Sequence, residues 1–272
     1  TSCPRTPLPT PLLPHPRPFC YTPEPHGYRP FFDPFMVEAQ HSRGSYYFCS
    51  LQLSGANFDE TGGTVREDRH GQPWSVAAKF VVAATGPRGF LHRTLGLGEN
   101  PTRFLPQTGA LFSHFTGVQR LDELAPPPET PPFPIDDAAL HHVFDGGWIW
   151  VLRFNNGITS AGVAATDVVA ASLRFADGAA AWDRLLDRLP GVRAQFAGAR
   201  SIVPFIHQPR LAFRSAGVVG PRWGLLPSAA GFIDPLRSTG FPLPLRGVQR
   251  RAGGLAEESG AWPAWRCPMG LN

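Results

Sequence analysis

The stretch LLPSAAGFIDPLRSTGFPL, residues 225–243, places the strongest constraint on what this chain folds into. Its apolar start changes to small residues, then to Asp-Pro, and then to Ser-Thr-Gly. Backbone N–H groups reach the oxygens of a bound phosphate or ring only where no side chain stands between them. The pattern is therefore typical of a strand that ends in a turn against a dinucleotide or flavin. Taken alone, a helix cap followed by a plain turn explains the same residues equally well.

Proline limits the structure of the first part of the chain. Eleven of the 31 prolines lie at or before Pro34. Each proline lacks a backbone N–H and fixes its own φ, which opposes both helix and sheet. We therefore expect residues 1–38 to be extended or disordered. They are either a polyproline ligand for an SH3-like partner or a non-native start, such as a gene fragment or a shifted reading frame. Residues 259–272 are expected to be a disordered tail.

Composition and charge narrow the class of protein. Hydrophobic residues make up 42% of the 272 residues and charged residues 17%, which is typical of a globular protein. The formal net charge is +4, but the basic residues are scattered, which argues against a nucleic-acid partner. No apolar run reaches the roughly 18 residues of a membrane span. The start also lacks the order of a secretory signal, so we expect a cytoplasmic protein.

The cysteines give no sign of a metal or redox site. The four cysteines are far apart, and no C-x-x-C occurs: Cys3, Cys20, Cys49 and Cys267. This spacing predicts free thiols in a reducing compartment and no bound metal.

The middle of the chain alternates between strand and turn signals. From Ser45, aromatic and β-branched runs are separated by Gly, Asp and Asn, which predicts strands joined by tight turns. Residues 77–86, AAKFVVAATG, predict a strand buried on both faces that runs into a small-residue turn. Residues 110–118 predict another strand. Asn155-Asn156-Gly157 between two β-prone runs predicts a hairpin.

Two stretches predict helices. In DGAAAWDRLLDRLPG, Asp177 is the expected N-cap, and Pro190 and Gly191 are expected to end the helix. Residues 238–258 are expected to begin a helix despite Pro242 and Pro244.

Two polar pairs are poor candidates for chemistry. His141 and His142 are neighbours, so on a strand they point to opposite faces and cannot share a metal ion. Asp136 and Asp137 are expected to start a turn rather than to act as an acid and base pair.

Three stretches together resemble a known family. They are AKFVVAATGPRGFLHRTLGL (78–97), GWIWVLRFNNGITSAGV (147–163) and GPRWGLLPSAAGFIDPLRSTGFPL (220–243). In this order they resemble the flavin-dependent halogenase and monooxygenase-like branch of FAD-dependent oxidoreductases, over roughly residues 40–255. Family members read G-D-A-A-G-F-I-D-P-L-x-S-T/S-G in the third stretch. The second is similar to the halogenase signature W-x-W-x-I-P, matched at Trp148 and Trp150.

The resemblance implies a fold, a cofactor and a function. The fold is α/β (α+β), with a partial FAD/NAD(P)-binding Rossmann-like domain from residues 39–86 and 220–258 and an antiparallel-sheet substrate domain from residues 87–219. The implied function is that of an FAD-dependent, halogenase-like or monooxygenase-like oxidoreductase acting on a small hydrophobic or aromatic substrate. NAD(P)H or a flavin reductase would supply electrons. The alternative is a non-catalytic remnant or binding module that keeps the substrate-domain sheet without the cofactor.

The resemblance also implies which residues form the site. Trp148 and Trp150 are implied to line the substrate pocket, although two alternating tryptophans on a strand fit one face of a core equally well. The turn at residues 84–86 is implied to lie near FAD, and the turn at residues 229–231 at its ribityl and pyrophosphate region. Residues 234–235 and 238–240 are implied to lie beside the isoalloxazine. The implied cofactor-binding residues are Thr85, Gly86, Ser228, Ala229, Ala230, Gly231, Asp234, Pro235, Ser238, Thr239 and Gly240.

Several positions depart from the family pattern. No G-x-G-x-x-G opens the sequence, so the loop for the FAD pyrophosphate is not present there. Pro227-Ser228 replaces the family's Gly-Asp, and Ala83 replaces an acidic residue. Arg237 stands where tryptophan halogenases carry a catalytic Glu, and Lys79 does not match their catalytic lysine. No catalytic residue is assigned, and we expect the chain to be the middle portion of a longer enzyme.

Overall fold

The structure is a computed structural model, and it describes residues 27–69, 72–237, 240 and 242–257. These residues form two compact units. The large-sheet unit contains residues 27–49 and Thr108–Arg210. The small-sheet unit contains Ser50–Gln107 and residues 211–257.

The helices and strands are numbered in chain order. The helices are α1 (Arg29–His41), α2 (Phe90–Thr94), α3 (Leu121–Leu124), α4 (Asp167–Leu173), α5 (Ala179–Arg188), α6 (Pro190–Gln195), α7 (Pro227–Ala230) and α8 (Pro242–Glu257). The strands are β1 (Leu53–Phe58), β2 (Gly63–Arg69), β3 (Gln72–Ala78), β4 (Val81–Ala83), β5 (Thr108–Thr116), β6 (Leu140–Phe144), β7 (Gly147–Arg153), β8 (Thr159–Thr166), β9 (Arg200–Ser201), β10 (Ile206–Gln208), β11 (Phe213–Arg214), β12 (Val219–Gly220), β13 (Trp223–Leu225) and β14 (Gly231–Phe232).

The large-sheet unit is an antiparallel sheet covered on one face by helices. Its strand order is β10-β5-β8-β7-β6, and β9 also pairs with β5. Successive side chains on a strand point to opposite faces, so the alternating apolar side chains of β5, β7 and β8 lie on one face of the sheet. That face and helices α4 to α6 share one buried core, which includes Leu111, Ile149, Val163, Leu173, Trp182 and Leu185.

The predicted hairpin is confirmed. Strands β7 and β8 pair antiparallel around Asn155-Asn156-Gly157. The N–H of Ile158 donates to Asn156 Oδ1 at 3.1 Å, and Phe154 N donates to Ile158 O at 2.9 Å. The predicted strand at 110–118 is β5, which begins and ends two residues earlier.

Helix α5 forms where it was predicted and ends before Pro190 as predicted, but its start differs from the prediction. Its N-cap is Gly178, not Asp177, because Asp177 lies in a 3-10 turn (Phe175–Asp177) and its carboxylate binds Arg184 at 2.6 Å. The helix ends at Arg188, and Pro190 then begins a separate helix, α6. Proline is tolerated there because the first residue of a helix needs no N–H partner.

The small-sheet unit contains three short sheets. Strands β1, β2 and β3 form an antiparallel meander, β11 pairs antiparallel with β14, and β13 lies between β12 and β4. Strand β13 is parallel to β4. The core of this unit includes Ala56, Leu91, Trp223, Leu225 and Ala229.

The prediction for residues 77–86 is confirmed in part: strand β4 runs into the small-residue turn at residues 84–86, but the strand is not continuous from residue 77. The strand breaks at Lys79-Phe80 because the chain changes partner there. Ala78 still pairs with Gly63 in the meander, whereas Val81 pairs with Trp223 in the parallel sheet. The strand is also not buried on both faces, since Val82 is 41% exposed while Ala83 is 6% exposed.

The start of the described chain is helical rather than extended. Helix α1 covers part of the region expected to be extended, with Pro30 in its first turn and Pro34 inside it. Arg29 Nε and Nη2 donate to both carboxylate oxygens of Asp33, which supports the helix across one turn. Residues 1–26 and the expected tail at 259–272 lie outside the described residues. Cys49 forms a disulfide bond, which corrects the expectation of free thiols.

The observed units differ from the expected domain boundaries. Residues 87–107 and 211–219 belong to the small-sheet unit, because Leu91 is part of its core and Phe213 pairs with Phe232. Residues 39–49 group with the large-sheet unit instead. The helix expected near residues 238–258 is α8. Within the described ranges, no helix is long and apolar enough to cross a membrane.

A buried ion pair fixes the long connection between β5 and β6. Asp136 and Asp137 lie in a 3-10 turn, as expected, but Asp136 is only 1% exposed. Its Oδ1 lies 3.0 Å from Arg153 Nε, and its Oδ2 accepts a hydrogen bond from Asp122 N at 2.9 Å. Arg153 Nη1 also donates to Val118 O at 3.0 Å. The pair therefore ties both ends of this connection to strand β7.

Replacing Asp136 by Ala is expected to lower the free energy of unfolding by about 3 kcal/mol, because it removes the buried carboxylate that binds Arg153 and accepts from Asp122 N. Urea unfolding measures this. Asp33→Ala, which removes the carboxylate of the exposed pair in α1, is the matched control and is expected to cost less than about 1 kcal/mol. Equal losses in the two variants would show that the Asp136 pair does not hold this unit together.

Candidate functional site

The parallel pairing of β4 and β13 brings two small-residue turns to one sheet edge. Trp223 pairs with Val81 and Leu225 with Ala83. Directly after the strands, Leu226 N donates to Ala83 O at 2.9 Å. Parallel strands end at the same edge, so the turns that follow, residues 84–86 and 227–230, lie side by side. This is the edge at which open α/β sheets bind their ligands.

The first turn exposes its backbone. Gly86 has a φ of +74°, a conformation that favours glycine, and no atom lies within 4 Å of the place a Cβ would occupy. Thr85 Oγ1 accepts a hydrogen bond from Phe90 N at 2.9 Å, which starts helix α2. The Thr85 side chain is thus used to close the turn, and Gly86 O accepts a hydrogen bond from Gly89 N at 3.1 Å, while the Cα of Gly86 faces open space.

The second turn is made of small residues on a short helix. Pro227 occupies the start of α7, and the N–H groups of Ala229 and Ala230 both donate to Leu226 O at 2.9 Å. Ala229 is buried, and Ser228 and Ala230 are half-buried. Behind the turn, Arg251 of helix α8 donates from Nη2 to Leu225 O at 2.7 Å.

The rest of the predicted cofactor segment follows β14. Gly231 begins that strand in extended conformation. Asp234 Oδ1 accepts a hydrogen bond from Leu236 N at 2.9 Å, and Pro235 begins a 3-10 turn (Pro235–Arg237). Gly240 is exposed. Ser238 and Thr239 lie outside the described residues, so their predicted contacts with a flavin stay predictions.

In the large-sheet unit, Trp148 and Trp150 lie on the sheet face opposite the helices. Their ring centroids are 5.6 Å apart, and Phe112 lies 5.9 Å from Trp150. Trp148 also meets the ring of His141 edge-on at 5.0 Å. We call Phe112, Trp150, Trp148 and His141 the aromatic face. Aromatic side chains in such offset and edge-on arrangements provide a rigid apolar surface with little conformational entropy to lose on binding.

Gly162 makes room for this arrangement. In the sheet it pairs with Trp150 on one side and with Phe112 on the other. A Cβ at this position would overlap the Cβ of Phe112 and the indole ring of Trp150. The indole therefore lies flat over the glycine. Sequence analysis named the tryptophans but missed Phe112, His141 and Gly162, which only the strand register connects to them.

The two neighbouring histidines point to opposite faces, as predicted. Burial, and to a lesser extent the nearby His142, lowers the pKa of His141. The imidazole of the aromatic face is therefore neutral at pH 7. His142 lies on the helix side, where its Nε2 is 3.0 Å from Gln195 Oε1. Among the described residues, no group of three or more His, Cys, Asp or Glu side chains is arranged to hold a metal ion.

Comparison with known proteins identifies the class and then the family. The chain is 34% identical over 225 residues to the tetracycline 7-halogenase of Kitasatospora aureofaciens, covering 79% of this chain and 40% of that protein. It is 30% identical over 235 residues to the monodechloroaminopyrrolnitrin halogenase PrnC of Pseudomonas fluorescens, covering 80% and 39%. The crystal structure of halogenase PltM with phloroglucinol and FAD matches with a TM-score of 0.74 and 27% identity, over 85% of this chain and 46% of that one. No protein-family profile matches.

The fold is that of the FAD-dependent oxidoreductases, which confirms the predicted α/β (α+β) class. Within that class, the chain belongs to the family of flavin-dependent halogenases. The chain spans about two fifths of the length of the curated relatives it matches, since it covers 40% and 39% of them.

Gly162→Ala is expected to displace the Trp150 indole and to lower the free energy of unfolding by about 1–3 kcal/mol, the usual cost of overpacking. Tryptophan emission should change in Gly162→Ala and not change when the same substitution is made in a Trp150→Phe background. Gly191→Ala is the control, because a Cβ there meets no atom within 4 Å. An unchanged emission spectrum in Gly162→Ala would contradict the described position of Trp150.

Proposed function

We propose that this chain is the part of an FAD-dependent, halogenase-like oxidoreductase that binds the flavin at the turns after β4 and β13 and a small hydrophobic or aromatic substrate at the aromatic face. One observation carries the proposal: the parallel pairing that sets Thr85 and Gly86 beside the Ser228–Gly231 segment. The family supports it, because its members include the halogenase PltM, whose structure contains phloroglucinol and FAD.

The residues of the two turns fit part of a flavin nucleotide. The open space beside Gly86 and the small, half-buried side chains of Ser228 and Ala230 let a phosphate or ribityl chain approach the main chain. The Ser228 hydroxyl can donate or accept one hydrogen bond to a ribityl hydroxyl, a weaker interaction than a carboxylate makes. Pro227 offers no N–H. The fit therefore rests on close backbone approach more than on charge.

When bound, FAD supplies the redox chemistry, in which reduced flavin reacts with O₂. The protein's contribution is to hold and orient the reactants. We propose that Gly86 and Ala230 contact the ribityl and diphosphate region and that Asp234, Pro235 and the segment 238–240 lie along the isoalloxazine. NAD(P)H or a flavin reductase supplies the electrons. The cytoplasm is the proposed location.

The aromatic face gives the proposal its substrate class. The indole of Trp150 is half-buried and presents a flat apolar surface on which a planar ring can stack. The indole of Trp148, which is only 7% exposed, packs beside it and supports it. The neutral His141 beside Trp148 adds no charge to this surface. A small hydrophobic or aromatic molecule suits such a surface better than an acidic or strongly basic one.

The second candidate is a non-catalytic remnant or binding module. The large-sheet unit favours it, because its core, including Leu111, Ile149 and Trp182, is complete without the turns of the small-sheet unit. The replacement of the family's Gly-Asp by Pro227-Ser228 points the same way. In such a binding module, the aromatic face would bind a ligand and the chain would bind no flavin.

Flavin binding by the purified chain separates the two candidates. If the proposal is right, FAD at about 100 times its dissociation constant raises the free energy of unfolding by about 2.7 kcal/mol, and its fluorescence changes on binding. A colourless protein whose thermal unfolding does not respond to added FAD would support the remnant.

A matched pair of glycine variants tests where FAD binds. Gly86 and Gly157 both have positive φ and open space at the Cβ position, so Ala costs each about 1 kcal/mol of stability. Only Gly86→Ala is expected to weaken FAD binding, by about fivefold, because its methyl group occupies the open space through which the flavin approaches the turn. Equal FAD affinity in Gly86→Ala and Gly157→Ala would place the flavin away from this turn.

A further inference from the structure

We infer that Ser215, together with His92, is a positioning residue that fixes the two cofactor turns relative to one another. The inference rests on the proposed function and assigns these residues no contact with FAD. Two hydrogen bonds support it. One joins His92, in the helix after the first turn, to Ser215, and the other joins Ser215 to Ala230, the last residue of the second turn.

The first turn continues directly into the helix that carries His92. Phe90 N donates to Thr85 Oγ1 at 2.9 Å, so helix α2 begins on the turn itself. His92 lies one residue further along α2 from Leu91, which is part of the buried core. The His92 side chain is buried, and its Nδ1 lies 3.2 Å from Ser215 Oγ.

Ser215 reaches the second turn through its backbone. Its N–H donates to Ala230 O at 2.8 Å, at the end of helix α7. The strand before it continues the same connection, because Arg214 pairs with Gly231. Ser215 is only 2% exposed, so the pair is shielded from water. One residue therefore contacts the elements that carry both turns.

The hydrogen-bond geometry sets the state of His92. A serine hydroxyl has one hydrogen to donate, and Ser215 Oγ donates it to Gly217 O at 2.7 Å. The hydroxyl can then only accept from the imidazole, so Nδ1 of His92 carries the proton. Removing the hydroxyl would leave this buried N–H without its acceptor, which costs more than the bond itself contributes.

A second set of contacts also joins the segment after the first turn to strand β11. The Arg88 guanidinium lies 4.7 Å from the centre of the Phe213 ring, and it binds Glu99 with both carboxylate oxygens at 2.6 and 2.8 Å. His92 meets the same Phe213 ring edge-on at 5.2 Å. The segment 213–215 is therefore in contact with two side chains that follow the first turn, while its main chain pairs with the second.

Three variants and a control test the role. Ser215→Ala and His92→Leu each remove the hydrogen bond, whereas His92→Asn keeps an N–H near the position of Nδ1. Ser113→Ala is the matched control, because Ser113 is equally buried and its hydroxyl donates to Val203 O at 2.8 Å in the large-sheet unit. Each purified chain is titrated with FAD, and thermal unfolding is measured without FAD.

We expect Ser215→Ala and Ser113→Ala to lower the melting temperature of the flavin-free chain by similar amounts. Ser215→Ala and His92→Leu should also weaken FAD binding by about fivefold, the equivalent of one hydrogen bond, and change the visible circular dichroism of the bound flavin. His92→Asn should restore wild-type affinity. Ser113→Ala should leave affinity and spectrum unchanged, because a purely structural loss does not reach the flavin.

The possible failures are distinct. If the wild-type chain binds FAD and Ser215→Ala, His92→Leu and Ser113→Ala all bind it equally well, the positioning role is wrong and the proposed function stands. If Ser215→Ala does not fold, the contrast between His92→Leu and His92→Asn decides. If the wild-type chain does not bind FAD, the proposed function fails and the inference fails with it.

Discussion

The hydrogen-bonded register between β4 and β13 is the constraint on which the rest of the small-sheet unit depends. It pairs Leu225 with Ala83 and lets Leu226 N reach Ala83 O, so the chain leaves both strands at the same level. The register is fixed by burial, because Leu225, Trp223 and Ala83 all belong to the core. A slip of one residue would turn these side chains away from that core. The same burial that stabilises the unit therefore also sets the spacing of the two turns.

The two faces of the large sheet differ: one holds the apolar core, and the other carries the aromatic face, which we propose binds the substrate. The face toward helices α4 to α6 holds the apolar core, and the buried Asp136 and Arg153 pair closes the long connection across it. The opposite face carries the aromatic face, whose side chains lie on the neighbouring strands β5, β7 and β6. Gly162 lies between Phe112 and Trp150, so the absence of one side chain sets the place of two rings. Such a surface is rigid before any ligand arrives.

Local sequence patterns predicted much of the fold. The hairpin at Asn156-Gly157, helix α5, strand β5 and the opposite directions of His141 and His142 all follow from periodicity or turn chemistry over a few residues. The strand-to-turn pattern at residues 225–231 also predicted strand β13 and the small-residue turn that the parallel pairing brings beside Gly86. These features depend on neighbours in the sequence, which is why the sequence revealed them.

The features that were missed depend on distant partners. His92 and Ser215 are 123 residues apart, and Asp136 and Arg153 belong to different elements, so no local pattern joins them. The break at Lys79-Phe80 arises from a change of sheet partner that the apolar run does not show. Asp177 is a residue type that often caps helices, but its carboxylate binds the Arg184 guanidinium instead of a backbone N–H of helix α5. The helix at Arg29–His41 contradicts the prediction of an extended segment, which was based on the number of prolines. Its first proline lies in the first helical turn, where no N–H partner is needed.

The most direct test of the central claim, that the two turns form one flavin site, is hydrogen–deuterium exchange of the chain with and without FAD. Bound FAD is expected to slow exchange of the backbone amides at residues 84–86 and 228–231 together, and to leave the hairpin at residues 154–158 unchanged. Slowing at only one of the two turns, or at neither while FAD is bound, would contradict the account.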